Sequence, residues 1–314
     1  MYKRYPFIAC LFLCSVSIQA QYSTDAFQFL RLPFSSHAAA LGGVNISVIA
    51  DDLTMALHNP ALLSCVSNRT LTLNYMRYME GVNVAGAAFA HTAGERGTWA
   101  AAAQYVDYGK MTETTPENIE TGTFTAKDMA LSGIYTYDLS NRWSGGVRAA
   151  FIYSDYAGYS SMAVGVDLGV NYYHAEHDFS FSAVARNLGG QLKTFDEVRE
   201  NLPAELLVGI SQGLAHAPFR FSLTLHDLTR WGGYGSKLLN HVTLGVDFLP
   251  AKAFYVAVGY QFRRSDEMKV NGSGHGAGFT GGIGIQLKRV KLGLSYAKYH
   301  VSSSSLMMNL SYTL

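Results

Sequence analysis

The sequence predicts an all-β protein: a transmembrane antiparallel β-barrel of about 14 strands with an N-terminal plug. Three observations predict this fold class. Of the 314 residues, only 15% are charged and 48% are apolar, which leaves too little charge for an ordinary soluble surface. Apolar residues recur at every second position, as in β-strands, and the segments that show this pattern are joined by links of alternating length. The near balance of 24 basic and 23 acidic residues excludes a basic nucleic-acid-binding protein.

Residues 1–20 are typical of a secretory signal peptide. Two basic residues, Lys3 and Arg4, precede an apolar run over 6–18, and the small residue Ala20 follows. The run is shorter than the roughly 20 residues that a membrane-spanning helix requires. We therefore expect cleavage after Ala20, which leaves only one of the three cysteines and excludes a disulfide framework.

The next segment, 21–69, shows no sustained alternation and is predicted to form a hatch or plug. Asp51 and Asp52 are typical of a helix start, and Pro60 predicts the end of that helix after one or two turns. The strand count leaves no place for this segment in the barrel wall. The lumen is therefore its expected location.

From residue 70 to residue 314, apolar and polar residues alternate as they do in a barrel wall. Val166 and Leu168, for example, share one face of a strand, and Gly165 and Asp167 lie on the other. The predicted strands span 70–78, 82–91, 97–108, 124–137, 143–153, 160–173, 178–187, 204–214, 219–228, 241–249, 254–261, 278–287, 290–297 and 306–314.

The lengths of the links favour a barrel over a soluble β-sandwich. Links after even-numbered strands are short, and several links after odd-numbered strands are long, although the link at 79–81 is short. Outer-membrane barrels show this alternation, with short periplasmic turns and longer surface loops. The long links are 109–123, 188–203, 229–240 and 262–277.

Charged residues on the polar faces predict the character of the lumen. Basic and acidic groups that point inward can pair across a narrow lumen, which favours a plugged barrel over an open pore. The predicted inward set is Arg148, Arg186, Arg220 and Lys291 together with Asp167 and Asp247.

No catalytic, metal or cofactor site is predicted. The segment 174–177 (His-Ala-Glu-His) has metal-binding residue types, but it lies in a tight turn without a fixed third or fourth ligand, so we interpret it as a polar turn. The glycine-rich segment 272–278 does not lead into a helix, as a phosphate-binding loop would. A Ser/His/Asp hydrolase is not favoured, because no pattern in the sequence supports a pairing of His226 with Asp247. The sequence therefore predicts a protein that is not an enzyme.

An ordered set of motifs resembles the PorV/PorQ proteins of Bacteroidetes over essentially the whole mature chain. Asn59, Pro60 and Ala61 are also similar to the hatch of the FadL-like long-chain fatty-acid transporters. The matching motifs are 32–43, 51–53, 59–63, 104–109, 122–124 with 127–128, 186–193 and 216–221.

This resemblance implies a fourteen-stranded FadL-like barrel in the outer membrane of a Gram-negative, Bacteroidetes-like bacterium. It implies membership of the type IX secretion system and its attachment complex. In that role the chain would anchor a PorZ-like protein at the cell surface, beside PorV- and PorU-like components, where cargo is joined to lipopolysaccharide. No cofactor is expected.

Two functions are therefore compared at the level of sequence. The long loops carry mixed charge with aromatic and arginine residues, a composition typical of protein interfaces. The alternative is a FadL-like transporter of hydrophobic small molecules, which would need a continuous apolar passage; the polar inward set disfavours one. The candidate partner-binding residues are Arg230, Trp231, Tyr234, Arg263 and Arg264.

Overall fold

The computed structural model describes residues 25–117, 119–196, 198–231, 237–251, 253–268, 276–300 and 303–314. The predicted signal peptide at 1–20 and the candidate residue Tyr234 lie outside the described residues.

Fourteen antiparallel strands close into one barrel, in which each strand pairs with the next and β1 pairs with β14. The predicted fold class is confirmed. The strands are β1 Thr70–Arg77, β2 Asn83–Ala93, β3 Gly97–Thr114, β4 Glu120–Asp138, β5 Trp143–Tyr156, β6 Tyr159–His174, β7 Phe179–Lys193, β8 Glu205–Gly213, β9 Phe219–Leu225, β10 Val242–Ala251, β11 Phe254–Gln261, β12 Phe279–Leu287, β13 Val290–Lys298 and β14 Ser304–Thr313.

The distribution of side chains across the wall is the inverse of that in a soluble protein. On β6, Val166 and Leu168 point outward and are exposed, whereas Asp167 and Gly169 face the lumen and are buried. A lipid solvent favours this arrangement because apolar side chains lose nothing by facing it and every backbone group is paired in a closed wall.

Two predicted loops are partly strands. The link predicted at 109–123 is mostly a hairpin, because β3 continues to Thr114 and β4 begins at Glu120. The link predicted at 188–203 is shortened because β7 runs to Lys193. These extensions are rich in polar residues, so they lack the apolar alternation on which the prediction depended. Backbone hydrogen bonds between the paired strands keep these extensions in β-conformation although the apolar alternation is missing.

The described part of the predicted plug contains only short helices. None of the helices in the described ranges has the length and apolar character that a membrane-spanning helix requires. The plug contains α1 Ser36–Ala40 and 3-10 turns at Gln28–Arg31, Leu53–Leu57 and Pro60–Cys65. The links between strands contain α2 Phe262–Glu267 and 3-10 turns at Met79–Gly81, Ala175–His177 and Leu238–His241.

One helix boundary differs from the sequence prediction. Asp52 caps the turn Leu53–Leu57 as expected, accepting a hydrogen bond from the Thr54 N–H at 2.9 Å. Pro60, however, does not end a helix but begins the next turn. Proline suits a first helical position because no hydrogen bond is required of its nitrogen there.

Apolar clusters lie between the plug and several sides of the barrel wall. In one of these clusters, plug residues pack against alanines of β2 and β3 and against Ile134 of β4, and the small alanines leave room for the plug. The plug residues of this cluster are Phe34, Leu53, Ala56, Leu57, Leu63 and Val66, and the wall residues are Ala88, Ala90, Ala100, Ala102 and Ile134.

Candidate functional site: the plugged lumen and its loop-side mouth

The hatch motif fixes the plug to the barrel wall. The Asn59 amide donates to the Ile46 carbonyl at 2.9 Å, and its Oδ1 accepts from the Ala61 N–H at 3.0 Å. The Ala61 carbonyl in turn accepts a hydrogen bond from Ser144 Oγ on β5 at 3.0 Å. Asn59 therefore shapes the turn that Pro60 begins, and the backbone of this turn binds the wall directly.

Glycines on the inner face of the wall make this contact possible. A β-carbon at Gly169 would lie 2.2 Å from Asn59 Oδ1, and one at Gly146 would lie 2.3 Å from the Pro60 carbonyl carbon. Real β-carbons do not approach other atoms so closely, so both positions require glycine. Sequence reasoning missed this role because alternation alone treats glycine as filler on the polar face.

Three inward arginines form ion pairs with acids on the neighbouring strand. The partners stand directly opposite one another in the strand register, so the pairs run along the wall and not across the lumen as the sequence analysis expected. One of the three acceptors, Glu205, was not in the predicted set. The pairs are Arg148–Asp167 at 2.8 Å, Arg186–Glu205 at 2.6 Å and Arg220–Asp247 at 2.8 Å.

The Arg220–Asp247 pair also holds the plug. His37 on α1 contacts Asp247 Oδ1 through Nε2 at 2.8 Å, and Arg220 Nη1 donates to the Ile49 carbonyl at 3.0 Å. The Tyr255 ring stacks on the His37 ring with centroids 4.0 Å apart. One buried carboxylate thus links two wall strands to the plug. The predicted inward Lys291 makes a similar connection, to Asp51 of the plug at 2.5 Å.

Among the described residues, three cavities lie along the lumen. The first, of about 210 Å³, lies beside α1 and is lined by His37 and Tyr255. The second, of about 360 Å³, lies at the short-turn end beside Cys65 and Arg142, and the third, of about 330 Å³, lies at the loop-side mouth beside Asp227. Their lining residues do not overlap, and all three include charged groups. Within the described part of the chain, these three cavities do not join into one apolar passage.

Acidification is expected to destabilise the plug through His58. The N–H groups of Phe34 and Ser35 donate to its Nε2 at 3.2 and 3.4 Å, which requires a neutral ring. Burial, and then the charges of Arg186 and Arg148, lower the pKa of His58 to about 3. The unfolded chain binds this proton at about pH 6.5. The stabilisation by neutral His58 is therefore complete above about pH 6.5 and is lost as the pH falls toward about 3.

Urea unfolding of the purified barrel in detergent, between about pH 7 and about pH 4, measures this effect. We expect the free energy of unfolding of the unmodified protein to fall more steeply with decreasing pH than that of His58→Gln. The difference between the two slopes should correspond to the uptake of up to one proton on unfolding. Equal slopes would contradict this assignment of the acid sensitivity.

The structure brings two of the candidate partner-binding residues together at the mouth. Arg263 forms ion pairs with Asp227 and with Glu267, and Arg264 lies over the Tyr299 ring at 4.0 Å. Both are partly buried against the mouth and do not project from it.

The next two candidates lie on the link after β9. Arg230 forms an ion pair with Asp25 at the start of the described plug, at 2.5 Å. Trp231 is 52% exposed, and its Nε1 donates to the Leu228 carbonyl at 2.7 Å. Its ring packs near His241, with centroids 4.3 Å apart. Of these candidates, Trp231 offers the larger free surface.

Further apolar side chains are exposed on the same end of the barrel. Sequence reasoning did not single them out, because it looked for charged and aromatic residues in these loops. Each is more than half exposed and lies outside the strands, in the loops opposite the short turns. With Trp231 they are Ile119, Val198, Leu238 and Leu239. We call these five residues the loop-side apolar set.

In the part of the chain that the structure describes, two groups of side chains have the composition of a metal site. The turn after β6 places ligand atoms of His174, Glu176 and His177 within 4.8 Å of one another, with the two imidazole rings stacked. Two of these residues are exposed, and their interpretation as a polar turn stays a prediction. The second group, at the mouth, consists of Glu205, His226 and Asp227.

No family model matches the sequence, and no curated protein matches it either. Solved structures do resemble it. The Pseudomonas putida toluene transporter TodX has a TM-score of 0.57 at 13% identity, over 89% of this chain and 97% of that one. The monoaromatic hydrocarbon channel CymD gives 0.59 at 13% identity, over 91% and 98%. A Pseudomonas aeruginosa FadL homologue gives 0.55 at 9%, over 88% and 97%. At such identities the likeness concerns the fold. The chain thus has the fourteen-stranded, FadL-like fold of outer-membrane barrels.

Proposed function

We propose that the chain is a non-enzymatic outer-membrane barrel that anchors a partner protein at the cell surface, as PorQ does in the type IX secretion system. The loop-side apolar set carries this proposal. These five side chains lie in the loops opposite the short turns, and each is more than half exposed. Trp231, Leu238 and Leu239 share the link between β9 and β10, and a group of large exposed apolar side chains is typical of protein-interaction surfaces.

The lumen beneath this surface supports an anchoring role. Its plug is held by the Asn59 turn and by the contact of His37 with Asp247, and charged groups line the cavities around it. A PorZ-like surface protein is the partner that the sequence resemblance implies, with PorV- and PorU-like components and lipopolysaccharide nearby. The comparisons with solved structures do not bear on this secretion role.

The second candidate is the transport of hydrophobic small molecules, and the comparisons favour it over the first. Two of the similar structures are a toluene transporter and a monoaromatic hydrocarbon channel. The cavity of about 210 Å³ beside α1 offers a space between plug and wall. Transport would require the plug to move, because the three cavities among the described residues do not join into one passage when it is seated.

Replacing three members of the loop-side apolar set tests the anchoring role. We expect the triple variant Trp231→Ser, Leu238→Ser, Leu239→Ser to release the PorZ-like partner from the cell surface into the medium. Each substitution removes a contact worth about 1–2 kcal/mol, so the combined loss is about a hundredfold or more in affinity. Quantitative immunoblotting of cells and medium measures the release, and heat-modifiable migration shows that the barrel remains folded.

A matched control makes the same kind of substitution, leucine to serine, at the other end of the barrel. Leu139→Ser with Leu287→Ser removes exposed leucines beside the short turns and should leave the partner on the cells. Retention of the partner by the folded triple variant would contradict the anchoring role. In a deletion strain, impaired uptake of radiolabelled toluene with normal surface display of the partner would favour transport instead.

A further inference from the structure

The loop-side mouth contains a cavity of about 330 Å³ whose wall is unusually rich in guanidinium groups. It lies between the plug turn Gln28–Arg31, the middle of β7, the start of β8, and helix α2. Its cations are Arg31, Arg186, Arg263 and Arg264, and its carboxylates are Glu205, Asp227 and Glu267. Four fixed positive charges therefore face three negative ones.

The carboxylates are already engaged by arginines. Arg31 binds both oxygens of Asp227, at 2.9 and 3.0 Å, and Arg263 contacts the same carboxylate. Glu267 accepts from Arg263 Nε at 2.6 Å. Glu205 receives Arg186 in the wall pair described above. Among the described residues, Arg264 has no acidic partner; its guanidinium lies over the Tyr299 ring.

Buried nitrogen atoms around this cavity lack hydrogen-bond partners. Two belong to side chains that are more than nine-tenths buried: Nε of Arg186, which is 7% exposed, and Nε2 of His226, which is 2% exposed. Nε of Arg31 and Nη1 of Arg264 are unpartnered as well. Leaving a buried donor unsatisfied is costly, and native proteins seldom tolerate several at one place. All four residues line the same cavity; these four atoms are themselves enclosed by protein, so a ligand there would engage them after small side-chain rotations.

We propose that this cavity binds a phosphate monoester group presented from outside the cell. A phosphate has three terminal oxygens, each of which accepts more than one hydrogen bond, so a single group can satisfy donors from several sides. Guanidinium groups suit this geometry because their N–H donors are planar and permanently charged. This inference goes beyond the anchoring role and does not depend on it.

A metal ion is the competing occupant, since Glu205, His226 and Asp227 bring ligand atoms within 4.8 Å of one another. Burial by itself would raise the pKa of Asp227, but His226 and the charges of Arg31 and Arg263 lower it. This carboxylate is therefore ionised and already neutralised by two arginines. A divalent cation would have to displace them and would meet the excess positive charge of the cavity.

Calorimetric titration of the purified, folded barrel with inorganic phosphate tests the proposal. Arg264→Gln is the informative variant, because it removes a donor and a charge without stranding a buried acid. We expect it to weaken phosphate binding by at least about tenfold. The matched control Arg289→Gln removes the same charge from an exposed turn at the opposite end and should leave binding unchanged. Heat-modifiable migration must be the same for all three proteins.

Two further titrations separate the sources of the phosphate. Lipid A that binds in its phosphorylated form but not after dephosphorylation, with the same sensitivity to Arg264→Gln, would identify a lipid headgroup. Binding of inorganic phosphate alone would identify a soluble ligand. Absence of binding in both titrations, or binding that Arg264→Gln does not weaken, would overturn the proposal. Binding of Zn²⁺ that is lost in His226→Gln, in a barrel that binds no phosphate, would assign the site to a cation and overturn it as well.

Discussion

A Gly259→Val variant is expected to unseat the plug while the fourteen-stranded wall stays closed. A β-carbon at Gly259 would lie 2.2 Å from the Gly42 nitrogen and 2.3 Å from the Leu41 carbonyl carbon. Both are backbone atoms of the segment that follows α1, so no side-chain rotation relieves the clash. Overpacking against side chains costs about 1–3 kcal/mol, and a clash with fixed backbone should reach or exceed the upper end of that range.

Single-channel conductance in planar bilayers measures the result. We expect the unmodified barrel to conduct little and Gly259→Val to conduct steadily, because the lumen is opened when the plug leaves it. Gly133→Val is the matched control: it makes the same substitution in the wall at a position where a β-carbon meets no atom within 4 Å. If Gly259→Val conducts no more than Gly133→Val, the plug does not depend on this close approach.

The second large effect is expected at Asp247. Its replacement by alanine leaves Arg220, which is 8% exposed, without its acid, and removes the contact that His37 of the plug makes with the wall. Removing one member of a buried ion pair typically costs about 3–5 kcal/mol, because the remaining charge is neither solvated nor paired. We expect a loss of this size in the free energy of unfolding in urea, measured after refolding into vesicles.

The matched control and a double variant make this prediction specific. Glu113→Ala removes an exposed acid from the upper part of β3 and should change the free energy of unfolding by less than about 0.5 kcal/mol. The double variant Asp247→Leu, Arg220→Met removes both charges and should recover part of the loss. A double variant that is less stable than Asp247→Ala would contradict the explanation by uncompensated charge.

Much of the barrel could be predicted from the sequence because its wall obeys a local rule. Alternation with a period of two places Asp167 inside and Leu168 outside without any knowledge of the neighbouring strands. The same rule could not pair Arg148 with Asp167. That pair depends on the register between β5 and β6, which is set by contacts along the whole hairpin.

The plug was less predictable because it obeys no periodic rule. Pro60 is compatible both with the end of one helix and with the first position of the next. Only the contacts of this turn with the barrel wall decide between the two. The wall glycines are a similar case. Gly146 and Gly169 are specified by plug atoms far away in the sequence, so nothing local marks them.

The closure of β1 onto β14 has a consequence for the order of assembly. The plug precedes β1, and its contacts reach β5, β6 and β11 and, through the hydrogen bond from the Ser36 N–H to Asn309, β14. Its binding site is therefore complete only when the last strand has been added. Contacts this far apart in the sequence form slowly and late. We therefore expect substitutions in this binding site to accelerate unfolding while leaving the rate of membrane insertion unchanged, since they act after the step that limits insertion.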